Sequence, residues 1–256
     1  MLTDTYLKNY SYGIIGGGFI GQVLKKYYPT ALVYDINGQF DSKESVLSQN
    51  IIFIAFNLAD NALAEENYKK IAEYPKQAKE GRIFIIKSTF LPGTTDRLQR
   101  EFPQHYFVYN CEFLTELTAW EDFTKPQFQI LGVPHQSLPL VNDLFNFLPS
   151  APIKRVISPL DAETLKHAMN SYYALKVTWF NQLYDACSKL HADYETVREI
   201  MVQNPWVGNS HSIIFFGGYR GYGGKCLSKD PKNMAQLVDF PLINHIEQYN
   251  ETLKKM

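Results

Sequence analysis

The chain has 256 residues, with 25 Lys and Arg against 26 Asp and Glu, a formal net charge of −1. That balance excludes the electrostatic footprint of a nucleic-acid or acidic-membrane binder, and the length admits one large or two modest domains. Three scattered cysteines, Cys111, Cys187 and Cys226, exclude a disulfide framework and have no zinc spacing, so no metal is expected. Met1-Leu2-Thr3-Asp4-Thr5 lacks the basic and apolar regions of a signal peptide. The longest apolar runs are strand-length, far short of a membrane span. The expected location is the cytoplasm, without a membrane or nucleic-acid partner.

The first part of the chain alternates strands and helices. Tyr12-Gly13-Ile14-Ile15 is a short apolar strand that runs into Gly16-Gly17-Gly18-Phe19-Ile20-Gly21, where glycines 16, 18 and 21 fit G-x-G-x-x-G. Val23 to Tyr28 reads as the following helix, stopped by Pro29. A second strand, Ala31 to Tyr34, ends on Asp35, about 20 residues past the first glycine. Gly16 suits the tight turn, Gly18 lets a pyrophosphate approach the backbone, and Gly21 lets helix and strand pack. The phosphates belong on the helix N-terminus. Asp35 suits a ribose diol and repels a 2′-phosphate, which points to NAD rather than NADP.

Further along, Ile51 to Phe56 is a continuous apolar run suited to a buried parallel strand. A polar helical stretch from about Asn61 to Tyr74 follows. Arg82 to Lys87 is the next strand, then Ser88-Thr89, a Pro92-Gly93 turn and a helix through Asp96-Arg97-Leu98. Tyr106 to Tyr109 and Phe128 to Leu131 read as further strands. The expected fold is α/β: a Rossmann-like, doubly wound parallel sheet over residues 1–156, followed by a helical domain over 157–256.

The second domain opens with Ser158-Pro159, an N-cap followed by proline at the first helical position. No glycine or proline then interrupts the chain to about Leu190, and Leu165, Met169, Tyr172, Tyr173, Val177, Phe180, Leu183 and Tyr184 recur at helical spacing. A helix of about thirty residues exceeds what one compact domain covers alone, and such a helix spans domains or packs against a partner copy. A second helix, Tyr194 to Val202, precedes a loop rich in glycine and aromatics from Asn204 to Gly224. Two more helical stretches are expected, one after Cys226 and one from about Pro241 to Lys255.

Gly221-Tyr222-Gly223-Gly224-Lys225-Cys226-Leu227-Ser228-Lys229-Asp230 carries the most chemistry. Glycines permit close approach of a substrate, and Cys226 precedes what reads as a helix start between two lysines. A helix N-terminus and nearby ammonium groups favour thiolate. Asp230, one turn on, shares the cysteine's face and can handle a proton or a water. A glycine turn holding a small buried cysteine is the bland alternative. On the long helix, Lys166 and Asn170 lie at i, i+4, where an ammonium and an amide can hold an oxyanion or simply face solvent. Glu112 and Glu116 also sit four apart past a strand's carboxyl end, where open α/β sheets place ligands, and are either employed there or simply solvated.

In this order, G-x-G-x-x-G, a terminal Asp, Lys-Ser-Thr with Pro-Gly-Thr-Thr, Glu-Phe-Leu-x-Glu, Lys-x-x-x-Asn and Gly-Tyr-Gly-Gly-x-Cys-Leu-x-Lys-Asp resemble the UDP-glucose/GDP-mannose dehydrogenase family. The resemblance runs from about Gly13 to Asn250-Glu251-Thr252. It implies NAD-dependent oxidation of a nucleotide sugar's C6 alcohol to the carboxylate, of the UDP-glucose type, through a thiohemiacetal and a thioester on Cys226. It implies catalytic roles for Cys226, Lys166, Asn170, Asp230, Thr89 and Glu116. Cofactor contacts would fall to Gly16, Gly18, Phe19, Ile20, Gly21, Asp35, Thr89, Glu116 and Lys229. Substrate contacts would fall to Glu112, Phe113, Leu114, Lys166, Asn170, Tyr222 and Gly223. The long helix suggests a homodimer.

The chain departs from that pattern in places. The family's further Rossmann-like domain would begin near Met256, so a chain without it is expected. The stretch from Asp35 to Ile51 is short, so one sheet unit should be reduced or missing. Gly208-Asn209-Ser210-His211-Ser212 replaces Asp-x-Arg-Ile-Gly, with Arg220 as a substitute arginine. Cys111 replaces a proline, and Phe56-Asn57-Leu58 replaces an apolar-Thr-Pro segment. Two other readings stay open: a two-electron dehydrogenase of a smaller hydroxy acid, which leaves the cysteine motif unexplained, and a non-catalytic NAD-binding module.

Overall fold

The structure, a computed structural model, describes residues 10–38, 40–57, 64–115, 117–224 and 226–255. Glu116, Lys225, Leu58, Asn61, Met256 and the first nine residues lie outside the described residues. The chain divides into two units, Met1–Lys166 and His167–Met256.

The first unit is a Rossmann-like α/β fold. In chain order it contains β1 (Tyr12–Ile15), α1 (Phe19–Tyr27), β2 (Leu32–Tyr34), α2 (Lys43–Leu47), β3 (Ile51–Ile54), α3 (Ala64–Gln77), β4 (Ile83–Ile86), α4 (Thr94–Glu101), β5 (Tyr106–Asn110), α5 (Ala119–Thr124), β6 (Phe128–Gly132), α6 (Val141–Phe147) and β7 (Ile153–Ile157). The strands form one sheet in the order β2-β1-β3-β4-β5-β6-β7. The five strands from β2 to β5 are parallel, whereas β6 pairs antiparallel to β5, and β7 lies parallel to β6. The sheet is therefore mixed at one end rather than parallel throughout. Among the described residues the regular structure between β2 and β3 is the five-residue helix α2, in keeping with the reduced unit that the short spacing implies.

Burial on both faces explains why the strands read as unbroken apolar runs. Ile14, Ile51, Phe53, Ile85 and Val108 pack to one side with Leu24 of α1, Phe123 of α5 and Phe147 of α6. Ile15, Ile52, Ile54, Phe84, Ile86 and Phe107 pack to the other with Val46 of α2, Ile71 of α3 and Leu98 of α4.

Several boundaries differ from the sequence reading. α1 begins at Phe19, four residues before Val23, because the glycine turn leads directly into the helix with Gly18 as its N-cap. β7, α2, α5 and α6 are absent from that reading. β7 is an edge strand exposed along most of its length, so its Ile-Lys-Arg-Val-Ile lacks a buried strand's apolar run.

In the second unit, α7 (Pro159–Leu190), which begins in the first, is followed by α8 (Tyr194–Val202), α9 (Asp230–Leu237) and α10 (Pro241–Leu253). Ser158 caps α7, its hydroxyl accepting from Asp161 N at 3.1 Å and donating to the Asp161 carboxylate at 2.7 Å. Asp193 caps α8 through Thr196 N at 2.9 Å. Two small cores form: Ala174, Val177, Tyr222, Ile243 and Ile246 in one, and Phe180, Cys187, Tyr194 and Ile214 in the other.

Candidate functional site

In the first unit, β1 delivers the glycine turn at the carboxyl edge of the sheet. Gly16 has φ +108°, and a Cβ there would strike the backbone of Ala55 and Phe56. A Cβ on Gly21 would strike the Gly16 carbonyl, so α1 can lie against the turn only with glycine at 21. Gly18 faces open space. Its helix has no side-chain cap and no acidic residue in the first turn, which leaves the α1 N-terminus able to receive an anion. Phe40 packs on Gly17. Asp35 directly follows β2, and its carboxylate accepts from Gly17 N at 2.7 Å and Asn37 N at 2.9 Å. Two carboxylate oxygens offer about four acceptor positions, so holding the loop leaves capacity for a diol. These residues fit a dinucleotide: a close-approach turn, an uncapped helix start and a terminal carboxylate. Phe19 and Ile20 open α1 beside them.

At the ends of β4 and β5 lies a buried charged group. Lys87 and Lys166 are both buried, and Lys166 Nζ donates to the Glu112 carbonyl at 2.5 Å. Lys166 and Lys87 also face, respectively, the rings of Phe113 at 5.3 Å and Phe123 at 5.2 Å. Burial pushes Lys87 down to about 8, against the pull of Glu112 and Cys111 and with Lys166 adding a like charge. Burial pushes Glu112 above the usual carboxylate range, and Lys166 and then Lys87 draw it back. Its Oε2 is sealed from solvent and accepts no hydrogen bond among the described residues. Cys111 is buried, its Sγ donating to Ala162 O at 3.2 Å, and burial raises its thiol to about 12. It is inert by that measure. Thr89 and Leu114 are half-buried nearby in sequence.

In the second unit, Cys226 is exposed. The carbonyl of Cys226 accepts from Lys229 N at 3.1 Å and Asp230 N at 2.9 Å, one turn that leads into α9. The helix itself starts at Asp230, with Pro231 at its second position, so Cys226 precedes it by a full turn. Asp230 is wholly buried. Its Oδ2 accepts from Asn170 Nδ2 at 2.5 Å, and Lys229 Nζ stands 3.4 Å from Oδ1. Its backbone carbonyl is 3.4 Å from His167 Nδ1. A carboxamide nitrogen has two hydrogens, so Asn170 keeps one donor beyond Asp230.

Two expected contacts look different in place. The Tyr222 ring is buried in the apolar core and its hydroxyl donates to Glu247 at 2.6 Å, leaving only Gly223 of that pair half-exposed. Arg220 is tied to α7 by an ion pair with Asp185 at 2.9 Å and hydrogen bonds to Asn181 at 3.1 and 3.2 Å. Its guanidinium serves the fold of its own unit. Lys87 and Asn250 are the residues that sequence reasoning missed. Lys87 stands in the quoted Lys-Ser-Thr, but a lysine ending a strand normally signals solvent.

Residues 160–252 match the family model described as UDP-glucose/GDP-mannose dehydrogenase family, central domain. The chain is 27% identical over 198 residues to a UDP-glucose 6-dehydrogenase of Rickettsia typhi, covering 73% of this chain and 45% of that protein. It is 25% identical over 241 residues to one of Bacillus subtilis, covering 86% and 53%. It thus spans about half the length of the curated relatives it matches. A solved UDP-glucose dehydrogenase from Pyrobaculum islandicum superposes with a TM-score of 0.78 at 21% identity, over 95% of this chain and 68% of that one, a likeness of fold. In motif order, in sequence and in fold the chain resembles the UDP-glucose/GDP-mannose dehydrogenase family, and its residues 160–252 match that family's central domain.

Proposed function

We propose that this chain is the NAD-dependent part of a nucleotide-sugar 6-dehydrogenase, oxidising a C6 alcohol to the carboxylate in two steps, with UDP-glucose as the first substrate to try. The observation that carries the reading is the turn from Cys226 to Asp230. An exposed thiol is placed one turn ahead of a wholly buried carboxylate that Asn170 and Lys229 hold. A buried glycine-turn cysteine has no use for such a carboxylate. The relatives named UDP-glucose 6-dehydrogenase support the substrate class.

Gly16, Gly18, Phe19, Ile20, Gly21 and Asp35 would hold NAD, with Thr89, Glu116 and Lys229 as further contacts, and NAD when bound accepts a hydride in each oxidation. Cys226 thiolate adds to the aldehyde carbon, forming the C–S bond of a thiohemiacetal whose oxygen takes up the negative charge. The second donor of Asn170 is suited to that oxygen, and the ammonium of Lys166 serves as the other oxyanion partner. At the thioester stage Asp230 orders and deprotonates water, with Thr89 and Glu116 in support. Water oxygen bonds to the acyl carbon, the C–S bond breaks, and the thiolate is regenerated. Glu112, Phe113, Leu114, Tyr222 and Gly223 are assigned to substrate binding, Tyr222 by holding Gly223 in place.

The test is NADH formation by purified protein given UDP-glucose, GDP-mannose and UDP-N-acetylhexosamines separately. Two NADH per sugar, abolished in Cys226→Ala, is expected. An unchanged rate in Cys226→Ala would favour the two-electron hydroxy-acid reading. The helix α7 leaves Tyr172 and Trp179 about half exposed, which supports a homodimer through that helix. Specific activity should then fall on dilution, and a fully active monomer would end that part of the reading.

A further inference from the structure

We infer that Asn250, on α10, is a positioning residue for the segment that presents Cys226; the inference rests on the proposed role of that thiol. Asn250 is wholly buried. Its Oδ1 accepts from Tyr222 N at 2.7 Å and its Nδ2 donates to Tyr222 O at 3.0 Å. One side chain thereby takes both main-chain groups of a residue four before the cysteine. A loop residue buried away from any sheet must find such partners or lose the hydrogen bonds it made with water.

Gly221 adds an independent observation. Its φ is +79°, and a Cβ there would collide with Asn250 Oδ1 and crowd Leu253. Glycine at 221 is thus demanded by the amide's reach as well as by the backbone's left-handed turn. Tyr222 is fixed a second time by its ring, packed with Ala174, Val177, Ile243 and Ile246. A third tether is its hydroxyl on Glu247, which stands 3.5 Å from Lys232 of α9. Gly223 and Gly224 follow, the latter at φ +73°, and glycines resist little. The thiol's position is therefore set by its two anchors, Tyr222 on one side and the Cys226–Asp230 turn on the other. Asn250 is the side chain that joins the first anchor to α10.

The experiment is alkylation of the intact protein by iodoacetamide across pH 6 to 10, with each cysteine followed by peptide mass spectrometry. Cys111 and Cys187 are buried and report loss of fold, whereas Cys226 is exposed. Asn250→Leu keeps an apolar fill and removes both hydrogen bonds. Asn250→Asp keeps the acceptor for Tyr222 N and sets a carboxylate against Tyr222 O. Cys226 alkylation near pH 7 is expected to fall about 3- to 10-fold in Asn250→Leu, as the thiol leaves the turn ahead of α9. A smaller fall is expected in Asn250→Asp, with Cys111 and Cys187 unreacted in both. An unaltered Cys226 profile with both buried thiols protected would overturn the assignment. So would reaction of all three cysteines in both variants, which would make Asn250 a folding residue only. A wild-type chain that forms no NADH yet passes this test would end the proposed function and leave the tether standing.

Discussion

Asp230 is where the chemistry of single residues is most exposed to test. A carboxylate with no solvent contact costs several kcal/mol unless it is paired, and here Asn170 and Lys229 supply the pairing. Asp230→Asn keeps the shape and removes the charge. Turnover is expected to fall about 100-fold or more, the range for a lost acid–base group. Intact-mass measurement should then find acyl groups accumulating on the protein. Undiminished turnover would remove Asp230 from the mechanism. The four-residue spacing from Cys226 was legible in the sequence, because a helical turn is a local geometry. Its complete burial was not, because α7 supplies Asn170 from 60 residues away.

At the scale of elements, Glu163 of α7 illustrates what periodicity leaves out. It is wholly buried, and its carboxylate accepts from Gly93 N at 2.6 Å, Thr95 N at 2.9 Å and Thr95 Oγ1 at 2.6 Å. It thus caps the start of α4 from another helix. Burial nevertheless lifts its carboxyl to about 7, the hydrogen bonds pulling the other way. The folded state therefore holds the proton that the unfolded chain releases near the ordinary carboxylate value, and this group's contribution to stability falls as pH rises from about 4.5 to about 7. Glu163→Gln should flatten that part of a stability–pH curve measured by denaturant unfolding. Glu163→Ala should cost about 1–3 kcal/mol by orphaning amides at the α4 start. A curve unchanged by both would contradict the role. In the sequence, Glu163 counts only as an acidic residue near the start of its own helix. β7 escaped for a related reason: an exposed edge strand owes its place to pairing with β6, not to its own hydrophobicity.

For the molecule as a whole, the glycine turn and Asp35 make a prediction independent of turnover. NAD at 100 times its dissociation constant should stabilise the protein by about 2.7 kcal/mol, a rise in melting temperature of roughly 5–10 °C. NADP should give much less on the proposed placement of the ribose at Asp35, whose carboxylate would repel a 2′-phosphate. Equal shifts from both would remove Asp35 from recognition. Among the described residues no helix is long and apolar enough to cross a membrane. The sequence by itself determined the α/β class, the strands from β1 to β6, the extents of α7 and α8, the glycine turn and the family likeness. All of these are written in neighbouring residues, in a helical period or in the order of short motifs. Tertiary structure alone decided the antiparallel β6, the burial of Lys87, Glu163 and Asp230, and the grip of Asn250 on Tyr222. The buried groups depend on which distant side chain removes water from them, and the direction of β6 on the strand beside it; in each case the partner lies outside any local pattern.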